Sequence, residues 1–346
     1  MMKMSPGTIA TTLAILAVAA LLPLAVGVYQ VMVFTNLAIM AIFALSVAWI
    51  WGYGGILCFG QSAFFGIGAY TYAISMINMG ESTVPLLLAI ALPTIFAALL
   101  GAGMFYGRVS DVYFAVITLC VTLILFSLIS STAGPEYRIF AARLNGQNGI
   151  SGFQTLNYPG LPGAGLGPRE YFYLVMALLA ACYLCLKSVI ASRFGRIVLS
   201  VRENPLRAEL LGYDTRWIKT CVFTLGGALA GLAGMLFANW GAFVNPSVFA
   251  LQMAAMPLIW VVVGGLGTLV GPILGAFALQ YLANYLGKQQ FANTGMVLGA
   301  LLICFVMLVP QGIVPSILRL VDKLPANARS LNVGRGKTRT TDEGVK

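Results

Sequence analysis

The chain of 346 residues contains no histidine, and it has only ten acidic side chains against 20 basic ones. Without histidine it cannot build a Ser-His-Asp triad, a histidine-ligated zinc site or a histidine proton relay. Charged residues make up 9% of the chain, against roughly 25% in soluble domains, whereas 60% of the residues are apolar. This composition excludes a soluble fold, because a soluble core has no room for so large an apolar fraction.

Charged residues are entirely absent from two long stretches, residues 4–80 and 220–287. Since about 20 apolar residues cross a bilayer as a helix, each stretch holds three or so spans. We therefore predict an all-α polytopic membrane protein with ten transmembrane helices. The predicted spans cover 8–28, 31–51, 54–76, 84–106, 112–131, 171–190, 220–243, 249–263, 269–286 and 296–314.

Some of these boundaries have alternatives. The first apolar run is too long for the core of a cleaved signal peptide, and a second run follows at once, so we interpret it as a span. Glycine and proline interrupt the segment 54–76 and the pair within 249–286, which are alternatively broken or re-entrant helices. The chain is thus divided into an N-terminal segment 1–7, a transmembrane domain 8–318 and a basic tail 319–346, which is expected to be disordered.

The basic residues predict the orientation. With the N-terminus inside, sixteen of them fall in cytoplasmic segments and four in outer ones. Cytoplasmic loops carry such an excess of Lys and Arg, so both termini are predicted to be cytoplasmic. The net charge of +10 then reflects membrane orientation, and no nucleic-acid partner is expected. The cytoplasmic loop 187–219 carries seven basic residues, and the outer loop 132–170 is a candidate docking surface.

The deep parts of the predicted spans contain no Asp, Glu, Lys or Arg. A carrier that is driven by protons or Na⁺ usually needs an ionisable residue inside the membrane. The polar residues here, among them Asn36, Gln61, Thr118 and Asn239, are neutral. They can line a path for a polar or zwitterionic solute, but they cannot hold a coupling proton. Uphill transport would need energy from outside the bilayer.

The loop 187–219 contains the signals of one short helix. Asn204 is a good N-cap, Pro205 fits the first helical turn and Gly212 is a natural stop. Leu206 and Leu210 lie one turn apart and share a face. A helix this short is marginal in water, so something is expected to pack on it, either lipid headgroups or a cytoplasmic protein.

Five segments of the sequence carry a resemblance to a known family and occur in the same order as in that family: Trp51–Tyr70, Tyr113–Leu119, Asn148–Gly152, Arg202–Tyr213 and Val263–Pro272. The sequence resembles the inner-membrane permeases of bacterial high-affinity branched-chain amino-acid ABC importers, and in particular their larger, M-type subunit. The start Trp51-Gly-Tyr is also similar to urea and short-chain amide importers of the same superfamily. Cys58-Phe59 departs from the commonest pattern, which has a small polar residue followed by leucine.

The resemblance implies a type II ABC-importer-like fold and a machine of several subunits: two related permeases, two cytoplasmic ATPases that use ATP-Mg, and a periplasmic binding protein. This chain itself has no Gly-x-x-x-x-Gly-Lys-Ser/Thr motif, and neither a cofactor nor a metal is expected in it. The implied ATPase-coupling residues are Glu203, Asn204, Pro205, Leu206, Arg207, Ala208, Glu209, Leu210, Leu211 and Gly212. The implied residues near the translocation path are Gly60, Gln61, Phe64, Phe65, Gly66, Gly68 and Tyr70. Asn148 and Gly149 are implied in docking the binding protein.

The resemblance therefore favours a non-enzymatic permease subunit that moves leucine, isoleucine and valine across the bacterial inner membrane. The same machine carrying urea or short-chain amides is the alternative within the superfamily. A passive channel or an ion-coupled carrier is the alternative from another class, but it leaves the short helix in the loop unexplained. A membrane-embedded enzyme has no nucleophile–base pair, metal cluster or cofactor motif to support it.

Overall fold

The computed structural model describes residues 26–157 and 165–288, together with the single residues Pro23 and Gly299. Most of the first predicted span, the last span apart from Gly299, and the basic tail lie outside the described residues. The described part of the chain is mainly helical and has only two-residue strands, which confirms the predicted all-α class. Its α-helices are α1 (Val28–Val47), α2 (Gln61–Met79), α3 (Thr83–Tyr106), α4 (Asp111–Ser130), α5 (Pro168–Ala191), α6 (Arg193–Glu203), α7 (Pro205–Leu210), α8 (Thr215–Gly241), α9 (Leu251–Gly264) and α10 (Val270–Lys288).

Eight predicted spans correspond to helices of the structure within a few residues, except that the span predicted over 54–76 becomes helical only at Gln61. Among the described residues, five helices are long and apolar enough to cross a membrane: α1 with its extension to Tyr53, α3, α4, α5 and α8. α9 is apolar but has only 14 residues. The helices α6 and α7 are short and lie in the loop between α5 and α8.

Helix α8 lies at the centre of the described bundle and packs against α1, α2 and α3. Glycines permit the close approach. A Cβ on Gly68 of α2 would lie 2.2 Å from the carbonyl oxygen of Gly231, and one on Gly234 would overlap the backbone of Phe65. Small residues at such contacts let two helix backbones approach closely in lipid. Gly264 and Gly271 bring α9 and α10 together in the same way.

Two interruptions shape the middle of the bundle. α1 continues as a π-helix, Ala48–Tyr53, and residues 54–60 are non-helical before α2 begins. After α8, strand β4 (Phe243–Val244) and a 3₁₀ turn (Pro246–Phe249) precede α9. α2 goes on to contact the loop after α4, and α9 leads to Gly267, beside Gly52 at the far end. Both segments therefore continue across the bundle, and they are broken helices, not re-entrant ones.

The interruptions reach deep into the bundle. A Cβ on Gly60 would lie 2.8 Å from the Cβ of Thr118, which is seven residues after the start of α4. At 1.5 Å per residue, α2 begins about 10 Å inside the start of α4. Phe249 packs on Gly66, which is five residues further along α2, so the 3₁₀ turn lies roughly half way along α4.

Small strands organise the loop between α4 and α5. β1 (Arg138–Ile139) and β2 (Ala142–Arg143) form an antiparallel hairpin. β3 (Ile150–Ser151) pairs with β4, with Ile150 opposite Val244. Asn78 at the end of α2 donates a hydrogen bond from Nδ2 to the carbonyl of Ile139 and accepts one from the N–H of Ala141. This loop is therefore attached both to α2 and to the segment after α8.

Candidate functional site

The predicted short helix is present as α7, and its N-terminal cap and C-terminal stop are as expected. The side chain of Asn204 accepts a hydrogen bond from the N–H of Arg207 at 2.9 Å, and Pro205 occupies the first helical position. Gly212 follows with a φ of 88°, a left-handed conformation that favours glycine. The helix is shorter than the Glu203–Gly212 segment that the resemblance assigned to it: Glu203 is the last residue of α6, and Leu211 and Gly212 follow the end of α7.

Helix α6 was not predicted from the sequence. Ser192 caps it by accepting a hydrogen bond from the N–H of Gly195, and it ends one residue before the cap of α7. Val198 and Val201 are buried, whereas Arg193 and Arg196 are exposed. α6 is thus an amphipathic helix that lies against the bundle and carries α7 at its end.

The inner side of the α6–α7 unit is fixed to the bundle by specific contacts. The guanidinium of Arg202 donates a hydrogen bond of 2.7 Å to the carbonyl of Gly52 in the π-helix. Ala208 of α7 is fully buried. The carboxylate of Glu209 accepts a hydrogen bond of 2.5 Å from the hydroxyl of Thr215 at the start of α8. The α6–α7 unit is therefore joined to the end of α1 through Arg202 and to the start of α8 through Glu209.

The outer side of α7 carries exposed leucines. Leu206 is 66% exposed, Leu210 is 81% exposed and Leu211 is 67% exposed. Leu206 and Leu210 are one helical turn apart, so they form one apolar ridge with Leu211 next to it. Three neighbouring leucines in solvent are costly, and contiguous exposed apolar surface is typical of an interaction site. We call Leu206, Leu210 and Leu211 the leucine ridge.

The residues that the resemblance placed near the path lie at the start of α2, and most of them are packed against neighbouring helices. The rings of Phe64 and Phe65 are buried against Phe223 of α8 and Phe43 of α1. The carbonyl oxygen of the Gln61 side chain accepts a hydrogen bond of 3.3 Å from Ser46. These three residues connect the broken helix to its neighbours.

Phe249 is a residue of this region that the sequence analysis did not identify. Its ring lies directly over Gly66, where a Cβ would come within 2.2 Å of a ring carbon. The ring of Tyr70 stacks on Phe249 at a centroid distance of 5.7 Å. Within the described part of the chain, the hydroxyl groups of Tyr70 and Ser62 are buried without a hydrogen-bond partner. Unpaired hydroxyl groups and a broken backbone thus occur together near the middle of the bundle.

Cys58 occupies the position at which the sequence departs from the commonest family pattern. Its sulfur accepts a hydrogen bond of 3.2 Å from the N–H of Gly60, just before α2. The side-chain amide of Gln61 also points at this sulfur, at 3.9 Å. Cys58 therefore satisfies donors at the start of α2, as a small polar residue would. The described residues hold no group of three or more His, Cys, Asp or Glu placed to bind a metal ion.

The two predicted docking residues in the outer loop have different environments. Asn148 is exposed at the end of a 3₁₀ turn, and Gly149 is buried with a φ of 71°. A Cβ on Gly149 would lie 2.2 Å from the carbonyl oxygen of Val244. Gly149 is therefore needed for the close approach of β3 and β4, and Asn148 is the one available to a partner.

The fold and this site define a multi-pass membrane protein that presents a short helix with an apolar ridge at one end of its bundle. The family described as the permease component of the branched-chain amino acid transport system matches residues 29–306, and the chain belongs to this family. It is thus the permease component of an ABC-type transporter and a multi-pass protein of the inner membrane. This confirms the resemblance drawn from the five sequence segments.

Curated relatives give more detail. The chain is 29% identical over 321 residues to the high-affinity branched-chain amino acid transport system permease protein LivM of Escherichia coli (strain K12). The aligned region covers 87% of this chain and 74% of that protein. The Salmonella typhimurium LivM protein is 28% identical, over 88% of this chain and 74% of that protein. The autoinducer 2 import system permease protein LsrC of Salmonella paratyphi B is 33% identical, but over only 35% of each chain. No solved structure is significantly similar to the chain.

Proposed function

We propose that this permease subunit imports leucine, isoleucine and valine, and that separate ATPase subunits supply the energy. The substrate assignment rests on the similarity to two LivM proteins over most of the chain, whereas the similarity to LsrC covers about a third of it. The long stretches 4–80 and 220–287 contain no Asp, Glu, Lys or Arg that could bind a coupling ion. The energy for uphill transport therefore has to come from outside the membrane.

The observation that carries the mechanism is the two-sided environment of α7. Its leucine ridge is exposed, while Ala208 is buried and Glu209 bonds to Thr215 of α8. An ATPase that binds the ridge in a cleft can therefore push or pull on α8 through a short, hydrogen-bonded connection. The ATPase, and not this chain, binds ATP-Mg. The end of the bundle with α6 and α7 is then cytoplasmic, and so are both termini.

The translocation path is proposed to run along α2 and past Phe249. Backbone that is not helical is tolerated at membrane depth only where protein or a polar cavity surrounds it, and discontinuous helices form substrate sites in other transporters. The unpaired hydroxyl groups of Tyr70 and Ser62 offer hydrogen bonds to the polar groups of an amino acid. A second, related permease subunit completes the path, and a periplasmic binding protein delivers the solute at the loop that contains Asn148.

Reconstitution tests this proposal. The full complex of both permeases and two ATPases is reconstituted in liposomes. The binding protein is added outside, and ATP-Mg is enclosed in the lumen, where the ATPases are. We expect labelled leucine, isoleucine and valine to accumulate against a gradient, and no accumulation with ADP or without the ATPases. Accumulation of urea or acetamide instead would overturn the substrate assignment. Uphill transport by the permeases alone would overturn the coupling mechanism.

A further inference from the structure

A cavity of about 350 Å³ lies between α7 and the bundle, on a face of α7 about 100° around the helix axis from the leucine ridge. Pro205 and Glu209, which are one helical turn apart on α7, form one wall. The other walls come from the end of α3 and the start of α8. Its volume falls at the low end of the about 300–1,000 Å³ that is usual for ligand pockets.

The charges around the cavity are mainly positive. Arg108, Arg216 and Lys219 line it, and Lys219 lies 3.4 Å from the carboxylate of Asp111. Glu209 is the one acidic residue of the lining, and its carboxylate already accepts a hydrogen bond from Thr215. In the described part of the chain, the guanidinium groups of Arg108 and Arg216 form no ion pair. Two cationic groups therefore remain available to an anion.

The backbone at Arg108 does not explain the choice of arginine. Its φ is 54°, in the left-handed region that favours glycine, directly after Gly107 at the end of α3. A glycine would adopt this turn more easily. The arginine that occupies the position instead places a positive charge in the lining of the cavity.

Exposed aromatic residues near the cavity are typical of the depth of lipid headgroups. Tyr106 at the end of α3, Tyr113 in the first turn of α4 and Trp217 in the first turn of α8 are about half exposed or more. Each is within five residues of a cationic residue of the lining. Tyr and Trp with a solvated polar end and an apolar ring are typical of the membrane–water interface. An anion at this depth is most readily supplied by the bilayer.

We propose that this cavity binds the phosphate group of an anionic phospholipid, with Arg108 and Arg216 as its main ligands. Basic pockets at the ends of transmembrane helices are suited to such headgroups. Since the same cavity is bounded by Pro205 and Glu209, the bound phosphate bridges α7 to α3 and α8 and fixes α7 against the bundle. Zwitterionic lipids, whose headgroups carry a compensating cation, bind less tightly in this cavity.

The test measures lipid binding directly and does not depend on transport. The full-length chain is purified in detergent and mixed with phosphatidylglycerol, with phosphatidylcholine or with inorganic phosphate, and the bound species are counted by native mass spectrometry. We expect retained phosphatidylglycerol to exceed phosphatidylcholine, and millimolar inorganic phosphate not to displace it. The double variant Arg108→Gln with Arg216→Gln should weaken phosphatidylglycerol binding about fivefold for each charge removed.

Two further variants keep the result interpretable. Arg196→Gln with Arg193→Gln removes two exposed charges of α6 outside the cavity lining, and it should leave lipid retention unchanged. Arg108→Lys with Arg216→Lys preserves the charge and should restore most of the binding. Equal loss in the α6 variant, or full retention in the Arg108/Arg216 glutamine variant, would show that the cavity is not the lipid site. Binding of inorganic phosphate at the same affinity would assign the cavity to free phosphate and overturn the lipid assignment.

Discussion

Arg202 and Gly52 are 150 positions apart in the sequence, and a hydrogen bond of 2.7 Å joins the guanidinium of the one to the carbonyl of the other. The stem of Arg202 also covers Gly55, which has a φ of 70°. This contact connects the end of α6 to the last turn of the π-helix that continues α1, just before the backbone becomes non-helical. The loop that contains α7 is thereby coupled to the broken segment that leads into α2.

Replacement of Arg202 should separate these two elements. Hydrogen bonds to charged groups contribute about 1.5–3 kcal/mol to stability. Because Arg202 is partly exposed, we expect Arg202→Met to weaken the attachment of α6 to the bundle by an amount near the lower value. Uptake by the reconstituted complex should fall several-fold while membrane insertion is unchanged. Arg193→Met is the matched control, since this arginine is exposed on the same helix. An equal effect of the two substitutions on uptake would contradict a specific role for Arg202.

The leucine ridge should be required for coupling. Leu206→Asp with Leu210→Asp puts charge into the apolar ridge without filling or emptying the core, because both side chains are exposed. We expect ATP-driven uptake to be abolished and the amount of inserted protein to be unchanged. Val112→Asp, at an exposed apolar position in the first turn of α4, should retain uptake. Persistent uptake by the double leucine variant would show that α7 does not transmit the energy.

Removal of the N-cap of α7 should reduce uptake, because it destabilises α7 by the loss of one hydrogen bond. Asn204→Ala leaves the N–H of Arg207 without its side-chain partner, which costs about 1 kcal/mol in typical helices. Uptake should decrease partially, and Asn204→Asp or Asn204→Ser should preserve it because each side chain also accepts a hydrogen bond. Dose–response curves of uptake against ATPase concentration are the measurement. Indistinguishable curves for alanine and serine would rule out the cap as a determinant of α7.

Close packing of α2 on α8 should be the most sensitive point for stability. A Cβ on Gly68 would lie 2.2 Å from the carbonyl oxygen of Gly231, so Gly68→Ala forces two backbones apart and should lower the midpoint of thermal unfolding in detergent by several degrees. Gly103→Ala is the control, because a Cβ there meets nothing within 4 Å. It should be neutral or slightly stabilising, since alanine is the better helix former. Similar midpoints for both variants would contradict the contact.

Much of this arrangement was accessible from the sequence because membrane helices and caps leave local signals. The apolar runs predicted the helices α3, α4, α5 and α8 within a few residues, and Asn204, Pro205 and Gly212 predicted α7. α6 was missed, although Ser192 provides its cap, because Gly195 and several β-branched residues weaken its helical pattern. The start of α2 was placed too early, since glycine-rich non-helical backbone has the same composition as an apolar helix.

The remaining features depend on contacts between residues that are distant in the sequence. Phe249 lies over Gly66, and Glu209 and Pro205 form a cavity with Arg108, which follows the end of α3. No local pattern specifies such pairs, because they follow from how α8 brings its neighbours together. The resemblance identified the segment 60–70, but only the structure shows that its phenylalanines pack on α1 and α8.

The pairing of Ile150 with Val244 has a consequence for communication across the bilayer. Val244 is five residues before Phe249, and Phe249 rests on the first turns of α2. If a binding protein docks at Asn148, as proposed, the paired strands β3 and β4 connect the docking surface through a few residues of backbone to Phe249 and Tyr70. Docking on the outer face would then act on the interrupted segments in the middle of the bundle without passing through the leucine ridge.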